Sequence, residues 1–218
     1  DGSGAIRSTR PRKPVDRLDA LPFPAWHLLD LRKYPPHNDS HLRSVNGVNL
    51  EKEPRISIVF SRGCKGHCTF CSTWWIWRGW RHRSPQNTVD EIELLYGKFG
   101  TRHFCFADDA LTYDRDATLL LCEEIIARNL KIAFQATTRT DCVDAAVLRK
   151  MKQAGCYSIA YGIETASPAL LRAMGKENDV EASERAIRLT REAGISAVAL
   201  IIIGNVGETD ETIDETIR

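Results

Sequence analysis

The sequence predicts an α/β protein whose core is an open, partial (β/α) barrel around a parallel sheet. Five short segments rich in apolar and β-branched residues have the character of strands buried on both faces: 56–60, 102–107, 131–136, 157–161 and 195–203. Segments of helical periodicity separate them, and such a repeat implies right-handed crossovers between parallel strands. A closed eightfold barrel needs roughly 250 residues, whereas this chain has 218. We therefore expect a partial barrel, in a chain truncated at both ends relative to the full-length protein.

Four helices are predicted between these strands. Two of them open with a capping box, a polar residue followed three positions later by glutamate: Thr88 with Glu91, and Asn178 with Glu181. Apolar faces at 121–126 and 147–151 mark the other two helices. Three helices close on a glycine, which tolerates the left-handed conformation of a helix C-terminus: Gly100, Gly155 and Gly194.

The first 53 residues lack this repeat. Cationic residues and prolines at 7–17 predict an extended, solvated linker, and a denser apolar set at 18–31 predicts a strap across the surface of a domain. We therefore divide the chain into a linker and strap at 1–53 and a barrel core at 54–218, which is incomplete at its C-terminal end.

Composition narrows the class of protein. Hydrophobic residues make up 43% of the chain and charged residues 27%, as in a soluble globular protein. The net charge of +1 argues against nucleic acid as a partner, and the longest apolar run, 195–203, is far too short to span a membrane. Seven cysteines, three of them clustered, argue against a disulfide framework and for a reducing, cytoplasmic location.

The clustered cysteines, Cys64, Cys68 and Cys71, follow the first predicted strand with the spacing C-x3-C-x2-C. Thiolates at this spacing can bind three corners of an iron–sulfur cube and leave the fourth iron for a ligand that is not a side chain. An iron with an open position is a reaction site, whereas a fully ligated cluster mainly stores or passes electrons. The remaining cysteines are expected to be buried apolar fillers: Cys105, Cys122, Cys142 and Cys156.

Polar residues follow every predicted strand. In chain order they are Ser61 and Arg62, Asp108 and Asp109, Gln135, Thr138 and Arg139, Gly162 and Glu164, and Gly204 and Glu208. The C-terminal ends of parallel strands lie on one face, where such folds hold their chemistry, so we expect these groups to meet there. Because Asp108 and Asp109 are neighbours on a strand, one should face this site while the other caps the next helix or pairs with an arginine.

Two motifs resemble those of the radical S-adenosylmethionine (SAM) enzymes, from about residue 56 to the end of the chain: Arg62-Gly-Cys64-x3-Cys68-x-Phe70-Cys71 and Gly162-Ile-Glu164-Thr-Ala-Ser167. The resemblance implies a [4Fe–4S] cluster ligated by Cys64, Cys68 and Cys71, with SAM completing the fourth iron. It also implies reductive cleavage of SAM to a 5′-deoxyadenosyl radical, with the electron coming from a donor such as flavodoxin or ferredoxin.

Three further features resemble the cobalamin-dependent branch of that superfamily: Asp16-x-Leu18-Asp-x-Leu21-Pro-x-Pro24-Ala-Trp26, Trp80-Arg81-x-Arg83-Ser84-Pro85 and Phe106-Ala-Asp108-Asp109. In that branch a cobalamin-binding domain precedes the first of these motifs, so residues 1–53 would lead from such a domain, which is absent from this chain. The implied function is cobalamin-dependent methylation, or radical rearrangement, of a small-molecule or natural-product substrate.

The resemblance assigns the SAM contacts as follows. Phe70 would lie near the adenine, Asp108 or Asp109 would contact the methionine ammonium, Glu164 would hold the ribose, and Arg139 would pair with the carboxylate. A fifth-strand pattern that approaches the adenine is matched by Ile202, Gly204 and Glu208, although Leu200 replaces its first glycine.

Two alternatives to this function stay open. One is a radical SAM enzyme without cobalamin that modifies RNA or a peptide. The other is a non-catalytic iron–sulfur or zinc module, which normally needs four protein ligands, whereas no fourth cysteine lies close in sequence. The tryptophan- and arginine-rich segment 74–83 is expected to cover the cluster or the substrate, with plain packing or nucleic-acid binding as the alternatives.

Overall fold

The computed structural model describes residues 4, 6, 8–10, 12–38 and 40–218, so the parts of the predicted linker and strap at 1–3, 5, 7, 11 and 39 lie outside the described residues. Its centre is a five-stranded sheet in chain order: β1 (Arg55–Ile58), β2 (His103–Phe106), β3 (Ala133–Thr138), β4 (Cys156–Glu164) and β5 (Ser196–Ile201). All neighbouring strands are parallel. The predicted α/β fold with a partial barrel is therefore confirmed.

Helices follow or connect the strands: α1 (Thr73–Trp77), α2 (Pro85–Phe99), α3 (Arg115–Ala127), α4 (Ala145–Ala154), α5 (Pro168–Ala173), α6 (Val180–Glu192) and α7 (Asp210–Ile217). Short 3₁₀ turns lie at Leu18–Ala20, Trp26–Leu28, Leu31–Lys33, Leu111–Tyr113 and Thr140–Cys142. Two small antiparallel ladders pair Ser44–Val45 with Val48–Asn49 and Ser61–Arg62 with Arg81–His82. Across the described part of the chain, no helix has both the length and the apolar composition to cross a membrane.

The main hydrophobic core joins the sheet to α2, α3, α4 and α6. Aromatic side chains from neighbouring strands, Phe104, Phe106 and Phe134, are at most 1% exposed, and the rings of Phe106 and Phe134 meet edge to face at 5.2 Å. Burial of each such ring stabilises the fold by about 1.5–3 kcal/mol. This core fixes the sheet, whose C-terminal edge carries the polar residues discussed below.

The predicted start of α2 is wrong. The helix begins at Pro85, and Ser84 is its N-cap, with Oγ accepting a hydrogen bond from the Asn87 backbone N–H at 3.1 Å. Proline is favoured at the first helical position because its missing N–H needs no partner there. Thr88 therefore lies inside the helix, and Glu91 faces the protein interior instead of closing a capping box.

The predicted start of α6 is wrong by one residue. Asp179, not Asn178, is the N-cap, and its carboxylate accepts a hydrogen bond from the backbone N–H of Ala182. The side-chain amide of Asn178 instead donates to the Thr140 hydroxyl. Either residue type can cap a helix, so tertiary contacts decide between them.

The strap segment is held on the first strand–helix unit by a buried ion pair. Arg83 and Glu91 approach to 2.5 Å with side chains 10% and 2% exposed. The Trp26 indole N–H donates to Glu91 Oε1 at 2.9 Å, while Arg83 Nη1 also donates to the Val59 carbonyl at 2.9 Å. The guanidinium of Arg83 lies over the ring of Phe23, with Cζ 5.4 Å from the ring centroid. Residues distant in sequence thus share one polar cluster under the strap.

Candidate functional site

The loop that carries the three cysteines is fixed at its first residue by a close backbone approach. Gly63 has φ 92°, and a Cβ atom there would overlap the carbonyl oxygen of Gly79. Glycine is needed on both counts, because it adopts positive φ freely and has no Cβ. Farther along, the backbone N–H of Thr69 donates to the Met174 carbonyl at 2.8 Å. These contacts hold the cysteine loop against the turn that follows α5.

Two of the three cysteine sulfurs lie beside Gly66. A Cβ atom at Gly66 would be 3.5 Å from Cys64 Sγ, 3.9 Å from Cys68 Sγ and 2.8 Å from Arg139 Nη1. Backbone N–H groups donate to the sulfurs, that of Gly66 to Cys64 at 3.3 Å and that of Thr73 to Cys71 at 3.4 Å. Such hydrogen bonds are among the features by which a protein tunes an iron–sulfur cluster.

The electrostatics of Cys68 show which charges share the site. Burial raises the pKa of the Cys68 thiol, while Lys176 and Arg139 act in the opposite direction, and Cys71 and Cys64 add to the increase. Nearby cations favour thiolates, which are the form that binds metal. Three thiols and two cations therefore meet at the C-terminal edge of the sheet.

Among the described residues, no group of three or more His, Cys, Asp or Glu side chains is placed to hold a single metal ion. A zinc ion draws its thiolates to a common point, with Zn–S distances of about 2.3 Å. An iron–sulfur cube presents its irons at separate corners, so its ligands need not converge in this way.

Asp108 does not do what the sequence suggested. It is 4% exposed, and its carboxylate accepts hydrogen bonds from the backbone N–H groups of Phe60 and Ser61 and from Ser61 Oγ. It therefore joins the ends of the first two strands. The cap of α3 is Asp114, and within the part of the chain that the structure describes Asp108 forms no ion pair with an arginine. Burial raises the pKa of Asp108 to about 7, against the opposing effect of these hydrogen bonds.

Asp109, the neighbouring carboxylate, is exposed and faces the cysteine loop. Its oxygens accept hydrogen bonds from the Gly63 backbone N–H and from Thr73 Oγ1, both at 3.2 Å. A carboxylate has about four lone-pair positions, so two such bonds leave it able to accept more. The two adjacent aspartates, which lie beyond the end of β2 and not on the strand, thus contact different partners.

Glu164 pairs with Lys176, a residue that the sequence did not single out. Lys176 Nζ lies 2.7 Å from Glu164 Oε1 and 2.6 Å from the Gly162 carbonyl oxygen, and the two charged side chains are 6% and 11% exposed. A Cβ atom at Gly162 would stand 2.6 Å from Glu164 Oε1. Glu164 itself has φ 68°, which is a costly conformation for any residue other than glycine.

Arg139 is oriented towards the cysteine loop by Asp141. Its Nε and Nη2 donate to the two carboxylate oxygens of Asp141 at 2.9 and 2.7 Å, and Nη2 also reaches the Glu177 carbonyl at 3.3 Å. A bidentate pair of this kind fixes the plane of the guanidinium. The remaining nitrogen, Nη1, is the one that lies nearest Gly66.

The last predicted contacts lie on more open parts of the structure. Ile202 and Gly204 follow β5, and the Gly204 backbone N–H donates to Glu208 Oε2 at 2.5 Å, which closes the turn before α7. Phe70, between two cysteines, is 44% exposed. Arg139 and Asp109 therefore contact the cysteine loop, and Glu164 is linked to it through Lys176. The turn before α7 is stabilised by its own hydrogen bond.

The remaining cysteines divide into two pairs. Cys122 and Cys156 are 2% and 0% exposed, as fillers should be, whereas Cys105 and Cys142 are only partly buried. Burial raises the pKa of Cys142 to about 12, and the charge of Cys64 contributes to that increase. Cys142 therefore lies near the cysteine loop, and it follows Arg139 closely enough in sequence that this placement could have been predicted.

Residues 58–218 match the family model of the radical SAM superfamily, and the chain belongs to that superfamily, as its motifs predict. Two curated relatives show where in the superfamily its similarities lie. The anaerobic magnesium-protoporphyrin IX monomethyl ester cyclase of Rubrivivax gelatinosus is 34% identical over 99% of this chain and 37% of its own length. The cytidylyl-2-hydroxyethylphosphonate methyltransferase of Streptomyces wedmorensis is 30% identical over 96% of this chain and 41% of its own length.

Among solved structures, the fold is similar to that of TsrM from Kitasatospora setae, a radical SAM methyltransferase with cobalamin and a [4Fe–4S] cluster bound. The TM-score is 0.69, with 23% identity over 76% of this chain and 34% of TsrM. At that identity the likeness concerns the fold. The chain spans about two fifths of the length of the two curated relatives.

Membership of the superfamily implies a [4Fe–4S] cluster and SAM, and the residues of the site fit both. The loop offers three thiols beside two cations, Lys176 and Arg139, which suits a cluster whose thiolates add negative charge. Carboxylates and a guanidinium surround the same loop, so the site has both charge signs that a zwitterionic nucleoside needs. Gly66 leaves space between the sulfurs and Arg139 that a side chain would fill.

Proposed function

We propose that this chain is the catalytic core of a radical SAM enzyme, in which Cys64, Cys68 and Cys71 hold a [4Fe–4S] cluster and SAM binds at the fourth iron. The observation that carries the proposal is that the loop with the three thiols lies beside Lys176 and Arg139, at the C-terminal ends of the parallel strands. Three protein ligands leave one iron available to a substrate-like ligand.

The bound cofactors supply one-electron cleavage of a carbon–sulfur bond of SAM, which gives methionine and a 5′-deoxyadenosyl radical. The residues of this chain bind and orient SAM for that step. Arg139 Nη1 would pair with the carboxylate, and Glu164 would accept a hydrogen bond from the ribose, with Lys176 fixing its position. Phe70 would lie near the adenine, as would the turn with Ile202, Gly204 and Glu208.

Of the two adjacent aspartates, we assign Asp109 to the methionine ammonium. Asp108 is buried, and its carboxylate already binds the backbone N–H groups where β1 ends. Burial also raises the pKa of Asp108 to about 7, so near neutral pH this group is ionised to a smaller extent than an ordinary carboxyl group. Asp109 is exposed, borders the cysteine loop and can accept further hydrogen bonds.

We further propose that the whole protein uses cobalamin to methylate an unactivated carbon of a small-molecule or natural-product substrate. The motifs at 16–26, 80–85 and 106–109, together with the similarity to a methyltransferase and to the fold of TsrM, support this assignment. Radical rearrangement is the second candidate, because the chain is also 34% identical to a cyclase. Seven free thiols suit a reducing compartment such as the cytoplasm.

The first test is SAM cleavage by anaerobically purified protein with a reconstituted, reduced cluster. We expect 5′-deoxyadenosine, and we expect Cys68→Ala to abolish it. Cys122→Ala is the matched control, since Cys122 is equally a thiol but lies in the hydrophobic core on α3. Because the core alone could turn over slowly, the longest native form of the protein is assayed in parallel. Product that survives Cys68→Ala would contradict the proposal.

A second test separates this function from a fully ligated cluster. Cys142 is the added thiol near Cys64, so Cys142→Ser should keep the cluster, and its electron paramagnetic resonance spectrum should still change when SAM is added. Loss of the cluster in that variant would favour a non-catalytic module. Recovery of the native protein free of cobalamin, from cells supplied with it, would favour the cobalamin-independent alternative.

A further inference from the structure

The segment between the cysteines and α2 carries charge of one sign. Residues 62–83 include five arginines and lysines and no aspartate or glutamate, in a chain whose net charge is only +1. Four exposed residues line a groove together with the first cysteine: Lys65, His67, Trp75 and Arg78. With the exposed Ile76 on α1 they form what we call the cationic face. Arg83 is buried in its pair with Glu91, and Lys65 and Arg78 are the exposed cations of the segment. A positive surface attracts acidic partners and speeds their encounter.

The cationic face has an apolar centre. Trp75 and Ile76 on α1 are 68% and 59% exposed. Trp75 borders an open groove of about 460 Å³ whose wall also includes Cys64, Lys65 and Arg78. Exposed aromatic and aliphatic side chains ringed by charge are typical of surfaces that bind another protein.

The other tryptophans of the segment are occupied inside the structure. The Trp74 ring packs against His67 at 5.4 Å, Arg62 lies 5.3 Å from the Trp77 ring, and Trp80 packs against Tyr113 at 5.5 Å. Single-stranded nucleic acid is bound by several exposed rings on which successive bases stack. Of the four tryptophans in this segment, Trp75 alone is widely exposed, so they do not form the row of exposed indole rings that base stacking would use.

We propose that the cationic face is the docking site for an acidic one-electron carrier protein, such as a flavodoxin, that reduces the cluster. This inference rests on the proposed function, which requires an electron at the cysteine loop. The groove borders Cys64 itself, so a carrier seated there would lie against one of the proposed cluster ligands. Redox partners form small interfaces, so the docking surface need not be extensive. In the transfer the carrier loses one electron and the cluster gains it, and no bond or proton changes.

The test uses the intact protein, a flavodoxin as the probe and two variants. Trp75→Ala removes the apolar centre, and its control is Leu120→Ala on α3, where the side chain is 48% exposed. Arg78→Asn removes a charge while keeping a residue that tolerates the φ of 52° at this position. Its control is Lys131→Gln, an exposed cation just before β3, at the opposite edge of the sheet.

Two measurements are made on each variant. Binding of oxidised flavodoxin to cluster-free protein should weaken about tenfold for Trp75→Ala and about threefold for Arg78→Asn, and should weaken further with added salt. Stopped-flow reduction of the cluster by reduced flavodoxin should slow in the same order. Reduction by titanium(III) citrate, which needs no docking surface, should be unchanged, and both controls should match the parent protein.

Three results would overturn the proposal. Equal flavodoxin binding and reduction in all variants would show that the carrier docks elsewhere. Failure of acrylamide to quench Trp75 in the intact protein would show that a further domain or a second copy covers this face. Binding of single-stranded RNA, lost in the same variants, would assign the face to nucleic acid. If titanium(III) citrate cannot reduce the cluster, the proposed function fails, while binding to cluster-free protein still decides the docking site.

Discussion

Replacement of Lys176 by methionine should destabilise the protein strongly. Methionine keeps the length and most of the volume of the side chain but removes its charge. The Glu164 carboxylate, with a side chain only 11% exposed, would then lose a partner at 2.7 Å. Removing one member of a buried ion pair costs about 3–5 kcal/mol because the other charge stays buried without compensation. In a chain of this length each kcal/mol corresponds to about 2–4 °C of melting temperature, so we expect a decrease on the order of 10 °C.

The assay is a double-mutant cycle on cluster-free protein, with urea and thermal unfolding of Lys176→Met, Glu164→Gln and the combined variant. If the cost comes from a stranded charge, the combined variant should be more stable than the sum of the single changes predicts, because neither charge remains. The reasoning fails if Lys176→Met unfolds within about 0.5 kcal/mol of the parent protein, the range of an ordinary surface change. It fails equally if the two effects are simply additive.

Three further predictions concern separate parts of the structure. Gly66→Ala places a Cβ atom 2.8 Å from the guanidinium of Arg139 and should speed the release of iron from the cluster to a chelator. The control, Gly97→Ala, has open space around the new Cβ atom and should leave the rate unchanged. Equal rates in the two variants would contradict this prediction. Burial raises the pKa of Asp108 to about 7, so the protonated carboxyl group favours the folded state. Its contribution to the free energy of unfolding is complete below about pH 4 and decreases by roughly 4 kcal/mol as the pH rises to 7. Asp108→Asn should remove that slope from urea unfolding of cluster-free protein, and an unchanged slope would refute the assignment. Trp26→Phe removes a donor from the buried Glu91 carboxylate and should cost about 1–3 kcal/mol and speed proteolysis within the strap; unaltered digestion would show that the strap is held elsewhere.

The five strands could be predicted because each is a short run rich in apolar residues. The expected burial on both faces is found in β2, β3 and β4 but not in β1 or β5. In β4, from Cys156 to Glu164, nearly every residue is buried. The same signal extended the last strand too far, since the apolar residues continue through Ile203 while β5 ends at Ile201. Leu200 and Ile203 are 43% and 76% exposed. Apolar character alone therefore predicts that a strand is present but not the residue at which it ends.

The cysteine motif and the carboxylates could be predicted because strand ends of a parallel sheet share one edge. Lys176 could not, since no periodicity or motif marks it and it reaches Glu164 only through the turn after α5. The role of Asp108 depends on backbone N–H groups of another strand, which no local pattern reveals. The same holds for Glu91, whose partners are Arg83 and a strap residue far away in sequence.

The left-handed backbone at Glu164 sets stability and chemistry in opposition. Glycine adopts a φ of 68° at no cost, whereas other residues pay of order 1–3 kcal/mol for such a conformation. A laboratory selection that rewards heat tolerance alone would therefore drift towards glycine at this position, provided that Lys176 is neutralised at the same time. The selected variants would be more heat-stable but would lack the carboxylate proposed to bind the ribose. Thermal stability alone would therefore not identify improved forms of this enzyme.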